Sequence, residues 1–451
     1  MKFQGIYDRS PIFFQNLMAT VYGYLAKKRR YGETYNNYLK YLDRIHKYSR
    51  KELEDLQFEE LMKLIRNTIE KSKFYRGLYN DIDINSFESV DDLKRLPIVT
   101  KEMLRQNIDD IITIPKSKSN ESSTGGTTGK SLTVYFTTED TQKRMAILDY
   151  FKKAHGFENI KMKRATFSGK HIVPPNQKQN IFWRYNASIN QMMYSVFHIT
   201  DENMPFYIKG LNNYKPKVLD GYITSIYDIA NYIDRNNIEL EFDLIAIFPT
   251  AEPVTVQYRE LVERVFKCKV YDQYASSEGA PFVYECKFGN LHYDLTTGII
   301  ENLEESNEIL VTSFTTYGTP LIRYKIGDSM EFEKNDMTCQ CGLHMPIVKN
   351  IEGRSINYLY STNGAKISEV AVAFNANPDG VIKYQIIQNT LTHILVKLVI
   401  DNNFKNENKY IFVDEIKHKL GRDMEVDFDL VDDIPREKSG KYRLIVNNVI
   451  M

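Results

Sequence analysis

This chain has no excess of either charge, few cysteines and no long apolar run. Lysine plus arginine and aspartate plus glutamate each number 59 in 451 residues. No net field therefore draws the chain to a polyanion, and nucleic-acid binding is not expected. No stretch reaches the roughly 18 apolar residues that cross a bilayer, and the N-terminus lacks a basic segment leading into an apolar run and a cleavage site. A cytoplasmic protein without a transmembrane segment is the expectation. Four cysteines are too few for a secreted disulfide framework, so any clustering of them points to metal. Repeats and low-complexity tracts are also lacking, which removes solenoid and collagen architectures.

What is present is enough apolar residue, 42%, to fill well-packed cores in more than one unit. Residues 1–110 read as a helical layer, with helix-period apolar positions in YNNYLKYLDRIHKYS and FEELMKLIRNTIEKSKFYRGLY. Residues 11–30, PIFFQNLMATVYGYLAKKRR, are read as a packed helix with a basic C-terminal turn. The rival reading is a helix lying on a membrane surface. After residue 130, short β-rich runs (LTVYFT, KPKVLDGY, LIAIFPT, CKVYDQY) alternate with helical patterns, which predicts an α/β core with parallel strands. From residue 355 the pattern becomes a compact α+β segment, with a hairpin in IIQNTLTHILVKLVID, a helix over YIFVDEIKHKLG and the strand VDFDLV. The expected organisation is a large domain, 1–354, and a small mobile domain, 355–451.

The strongest local signal is STGGTTGKSL, residues 123–132. Backbone N–H groups around Gly125, Gly126 and Gly129 can wrap phosphate oxygens, while hydroxyls and the Lys130 ammonium add donors. A Walker loop would need glycine where Thr124 stands and a helix rather than a strand to follow. YASSEGA, 274–280, carries Glu278 at a strand end, where one carboxylate could hold Mg2+. In LIRYKIGDSM, Asp328 follows a glycine turn and could accept ribose hydroxyls. IPREKSGKYR places Lys441 in a Ser-Gly-Lys turn between two arginines.

In this order the motifs resemble the adenylate-forming superfamily of acyl-CoA synthetases, luciferases and peptide-synthetase adenylation domains, and within it the phenylacetate–CoA ligase and CapK-like branch. FPTAEPV, 248–254, and EGR, 352–354, add the adenine-contact strand end and the Gly-Arg before the hinge. The resemblance implies that Ser123, Thr124, Gly125, Gly126, Thr127, Thr128, Gly129 and Lys130 bind pyrophosphate, and that Thr250, Ala251 and Glu252 border adenine beside Tyr274 and Ser277. It further implies Glu278 as the Mg2+ ligand, Asp328 and Arg354 on the ribose, and Lys441 bridging the acid and the α-phosphate. The implied reaction joins a small carboxylic acid to ATP as acyl-AMP and transfers the acyl group, with coenzyme A the default acceptor. An amine acceptor in surface-polysaccharide synthesis and a nucleotide-binding scaffold are the alternatives. Departures from the family are Thr124-Gly125-Gly126, Ala275, Lys325 and the residues Ser355, Ile356 and Asn357 at the hinge.

Cys286 and His292 in ECKFGNLHYD, with Cys339 and Cys341 in CQCG, form the ligand set of a structural zinc site. CapK-like relatives show similar segments, and His344 is the rival fourth ligand. The acyl pocket is expected between residues 180 and 275, where Phe182, Trp183, Tyr185, Tyr222 and Tyr271 are available. Oligomeric state is open, a dimer included.

Overall fold

The computed structural model describes residues 2–123, 132–174, 177–303, 308–333, 338–352, 358–368, 378–437 and 440–449. Its helices are α1 (Lys2–Arg9), α2 (Ile12–Arg30), α3 (Glu33–Ile45), α4 (Arg50–Lys71), α5 (Lys73–Leu78), α6 (Lys101–Gln106) and α7 (Ile108–Ile111), then α8 (Thr138–Ala154), α9 (Met204–Tyr214), α10 (Ile223–Arg235), α11 (Val256–Phe266) and α12 (Lys409–Leu420). The helical layer is therefore where residue periodicity puts it. Local signals set its ends: Ser49 and Glu52 form a reciprocal capping box on α4, and Thr100 caps α6.

Strands β1 (Asn120–Ser123) and β2 (Thr133–Phe136) make an antiparallel hairpin. A six-stranded sheet follows, formed by β3 (Arg164–Ser168), β4 (Trp183–Asn186), β5 (Gln191–Ser195), β6 (Val218–Gly221), β7 (Ala246–Pro249) and β8 (Lys269–Val270). Its order is β4-β5-β3-β6-β7-β8, and every pair except β4–β5 is parallel. Helix α10 connects β6 to β7 and α11 connects β7 to β8, the crossover units the alternation predicts.

A seven-stranded antiparallel sheet lies outside the α/β pattern that the sequence predicts. It comprises β9 (Gln273–Tyr274), β10 (Val283–Glu285), β11 (Leu291–Tyr293), β12 (Gly298–Asn302), β13 (Glu308–Ser313), β14 (Tyr324–Phe332) and β15 (Ile347–Glu352). Its order is β12-β13-β14-β15-β11-β10-β9. Three of its strands are two or three residues long, too short for a period-2 pattern to register. With α3, α4 and α8 it encloses one core that includes Leu64, Tyr75, Phe282 and Tyr324. The parallel sheet with α9–α11 encloses a second.

The small C-terminal unit has the pair β16 (Tyr358–Tyr360) and β17 (Lys366–Ser368). It also has a four-stranded sheet of β18 (Val381–Thr390), β19 (His393–Ile400), β20 (Glu425–Leu430) and β21 (Ile445–Asn447), ordered β20-β19-β18-β21. Helix α12 covers it through Phe412 and Ile416 over a third core. The expected hairpin, helix and strand all form. The expected division at 354/355 falls outside the described residues.

Candidate functional site

Ligand sites in parallel sheets lie beyond the carboxyl ends of the strands, and β7 ends here at Pro249. Just past it, Ala251 has φ +65°, and the Lys441 ammonium donates to the Ala251 carbonyl at 2.7 Å. The lysine of the C-terminal unit thus reaches the carboxyl end of the parallel sheet. Glu252 turns the other way: its carboxylate accepts from the Thr224 amide at 3.1 Å and hydroxyl at 2.9 Å, at the start of α10. The Tyr442 amide also donates to it, at 3.4 Å. Burial raises the Glu252 carboxyl, and Arg436, Thr224 and Lys441 pull it back. Arg436 itself donates to Asp228 at 2.6 Å and to Thr224 at 3.1 Å. The Gly440 turn is pressed so close that a Cβ there would meet Val196 Cγ2 at 2.7 Å and Gly169 Cα at 3.1 Å.

Asp328 on β14 is buried and accepts from the Tyr274 hydroxyl at 2.7 Å, so two residues singled out separately in sequence are partners. The neighbouring Gln273 side chain donates to the Pro249 carbonyl at 3.1 Å, tying this pair to the β7 end. Glu278 is buried in the turn after β9, and Ser277 is exposed beside it. The turn is fixed by Ser276 Oγ, which accepts from the Gly279 and Ala280 amides at 3.1 and 3.0 Å. It is held from below by the buried Arg144 of α8, which donates to the Ala280 carbonyl at 3.2 Å and Thr315 Oγ1 at 2.9 Å. Burial pushes the Arg144 guanidinium down to about 10. Gly279 has φ +108°, and a Cβ there would sit 2.3 Å from Thr316 Cγ2 and 3.1 Å from the Phe136 ring.

Phe136 belongs to β2, so the turn lies against the hairpin whose connecting loop is the glycine-rich segment. Ser123 faces Thr133 across that hairpin, Oγ to Oγ1 3.0 Å. Thr124, Gly125, Gly126, Thr127, Thr128, Gly129 and Lys130 lie outside the described residues, as does Arg354. Sequence reading missed Arg436 and Arg144. Arg436 was visible within the Lys441 motif; Arg144, one cation in a helix, gave no signal.

Cys286, His292, Cys339 and Cys341 converge, their ligand atoms all within 4.8 Å of one another. Cys286 Sγ lies 3.7 Å from Cys339 Sγ, and His292 Nε2 lies 3.3 Å from Cys341 Sγ. Two tight turns bring them together, with Gly289 at φ +83° and Gly342 at φ +84°. His292 Nδ1 faces the Met345 carbonyl at 3.4 Å, and burial depresses its protonation, so neutral Nε2 is left for the cluster. The Asn290 side chain and the Cys341 amide point N–H groups at Cys339 Sγ, at 3.2 and 3.4 Å. Three thiols, one imidazole and N–H donors aimed at sulfur fit a tetrahedral thiophilic cation. His344, exposed, is not in the group.

A cavity of about 460 Å³ opens between α2 and β4–β5, walled by Tyr22, Arg30, Lys170, His171, Gln191 and Met193 among others. His171 stacks on Phe197 at 4.2 Å, and Phe197 also meets Gly440, so the cavity wall adjoins the Lys441 turn. Three of the aromatics expected to line an acyl pocket have the following neighbours. Phe182 stacks on Tyr207 and Tyr271 on His155, while Trp183 packs against Gly210.

Residues 359–448 match the CapK C-terminal domain family. Protein CapK of Staphylococcus aureus is 40% identical over 455 residues, covering 98% of this chain and 99% of that one. Among solved structures, 2-hydroxyisobutyryl-CoA ligase in the postadenylation state with 2-HIB-AMP overlays with a TM-score of 0.71 at 16% identity, over 89% of this chain and 90% of that one. The same ligase with 2-HIB-AMP and CoA in the thioesterification state gives 0.57 at 16% identity, over 88% and 90%. The chain belongs to the CapK family, a branch built on the adenylate-forming fold.

Proposed function

We propose that this protein is an AMP-forming carboxylic acid ligase that condenses an acid with ATP to acyl-AMP and pyrophosphate, then transfers the acyl group to a thiol, coenzyme A. The observation that carries this reading is the Lys441 ammonium, delivered by the C-terminal unit to the Ala251 carbonyl at the β7 end. A cation fixed there stabilises charge that develops on the α-phosphate during in-line attack by the carboxylate. The better overlay on the postadenylation state than on the thioesterification state, 0.71 against 0.57, supports an arrangement suited to the first half-reaction.

Thr250, Ala251, Tyr274 and Ser277 border the adenine, and Asp328, oriented by the Tyr274 hydroxyl, accepts from the ribose with Arg354. Glu252, with both oxygens on Thr224, shapes that border from behind. Residues 123–130 hold the pyrophosphate. Glu278 holds Mg2+, which when bound neutralises phosphate charge. Cys286, His292, Cys339 and Cys341 hold a structural Zn2+. Domains 1–354 and 355–451 then rotate, Lys441 leaves the Ala251 carbonyl, and the acceptor approaches the anhydride. ATP and CoA place the reaction in the cytoplasm.

The test is pyrophosphate release from Mg-ATP with a panel of acids. Release with one acid, reduced about 10²–10³-fold in Lys441→Ala, is expected, and CoA or an amine added afterwards identifies the acceptor. Release of ADP instead sinks the proposal.

A further inference from the structure

Helix α2 packs on β4 and the turn after it, and touches α1 and α8, yet it turns an apolar face outward. Its inward face is polar. Gln15 accepts from the buried Arg184 guanidinium, Asn16 accepts from the Tyr185 amide at 2.9 Å, and Thr20 accepts from the Ala187 amide at 3.1 Å. Lys27 donates to the Ser188 carbonyl at 3.1 Å. Gly23 lets the helix approach β4 so closely that a Cβ would sit 2.3 Å from the Asn186 amide. Its outward face is apolar: Phe13, Phe14, Leu17, Val21, Tyr24 and Leu25 are 48–73% exposed. At 100° per residue these six fall within an arc of about 120°. The packed helix expected from sequence does pack, through side chains that are largely polar.

We infer that α2 docks on an anionic membrane surface, its aromatic and aliphatic arc entering the headgroup boundary and its C-terminal cations meeting lipid phosphates. Of the four cations that end the helix, Lys27 is held inward on Ser188 and Arg30 walls the cavity, so Lys28 and Arg29, both exposed, are the ones that face lipid. Lys28 falls on the apolar arc itself, with its ammonium 4.8 Å from the Tyr24 ring centre. Large apolar patches on a folded surface mark partner or membrane sites, and the charge decides between them. The sequence of α2, IFFQNLMATVYGYLAKKRR, contains no acid. Pairing α2 with α2 of a second copy would therefore leave both basic ends without a carboxylate on the facing helix. A plane of anionic headgroups supplies the missing charge and an apolar interior together. No helix among the described residues is long and apolar enough to cross the membrane, so the attachment is peripheral. It would set the cavity walled by α2 at the lipid surface.

The test is sedimentation of the full chain with phosphatidylcholine vesicles, with and without phosphatidylglycerol, at low and high salt. Hydrogen exchange of residues 12–30 accompanies it. Binding that needs phosphatidylglycerol, weakens with salt and slows exchange in α2 is expected. The triple variant Phe14→Ser, Leu17→Ser, Leu25→Ser should lose about tenfold in partitioning with an unchanged unfolding midpoint; if it misfolds, exchange on the unaltered chain decides alone. Absence of binding, binding indifferent to phosphatidylglycerol, or a vesicle-free dimer with α2 already protected overturns the inference.

Discussion

Gly279 carries a demand that its neighbours explain: φ of +108° and the Thr316 methyl 2.3 Å from where a Cβ would stand. Gly279→Ala should cost about 1–3 kcal/mol, read by denaturant unfolding, and should weaken ATP binding because the Glu278 turn must shift. Asp272, at the other end of the same strand region, is pushed up to about 7 by burial, with Glu285 adding to the rise and the Gln273 amide and Arg259 opposing it. Its folded value exceeds the ordinary carboxylate value of about 3.9, so the folded state holds the extra proton. This contribution to stability is full below that value and is lost as pH rises towards 7. Asp272→Asn should thus gain stability relative to the unaltered chain as pH climbs through that window, measured by melting at successive pH values. Sequence pattern reaches some of these residues and not others. Glu278 and Asp328 stand in short ordered motifs, whereas Arg144 acts through the Ala280 carbonyl and Thr315, contacts made across 136 and 171 residues that no local pattern encodes.

Helices were legible as elements because their ends carry chemistry. Thr137 and Asp140 form a capping box on α8, and the same Asp140 accepts from the Gly318 amide at 3.0 Å, joining the helix to a distant loop. The short antiparallel strands carry no such punctuation, and their burial on both faces erases alternation. The four-ligand cluster was legible in sequence as one ligand set, but not the means by which it assembles: the turn Cys286–Asn290 and the turn at Cys339–Gly342 come together where β11 pairs with β15. Cys339→Ser is expected to lower bound zinc from about one ion per chain, measured by metal analysis after dialysis. It should also accelerate hydrogen exchange in β11 and β15 before other strands.

At the scale of the whole molecule, the C-terminal unit is latched by charge as well as by Lys441. Arg436 and Asp228 meet at 2.6 Å with each side chain about one-tenth exposed, and removing Arg436 leaves the Asp228 carboxylate with Lys383 at 4.0 Å as its cation. Arg436→Ala should slow pyrophosphate release by about tenfold, some 1.4 kcal/mol, while acyl transfer from supplied acyl-AMP is spared. Comparing the two half-reactions separates this from general unfolding. The change of pattern near residue 355 sets an expected division that lies outside the described residues; the latch gave no sequence signal, since it depends on α10 presenting Thr224 and Asp228 to a turn more than 200 residues later. The oxygen that receives Lys441 belongs to the main chain, exposed by the left-handed turn at Ala251. Inheritance therefore acts there on shape instead of on side-chain identity. Asparagine or glycine at 251 would present the same carbonyl, so the position can drift among residues that tolerate that backbone, while a β-branched replacement, chemically just as inert, would displace the acceptor.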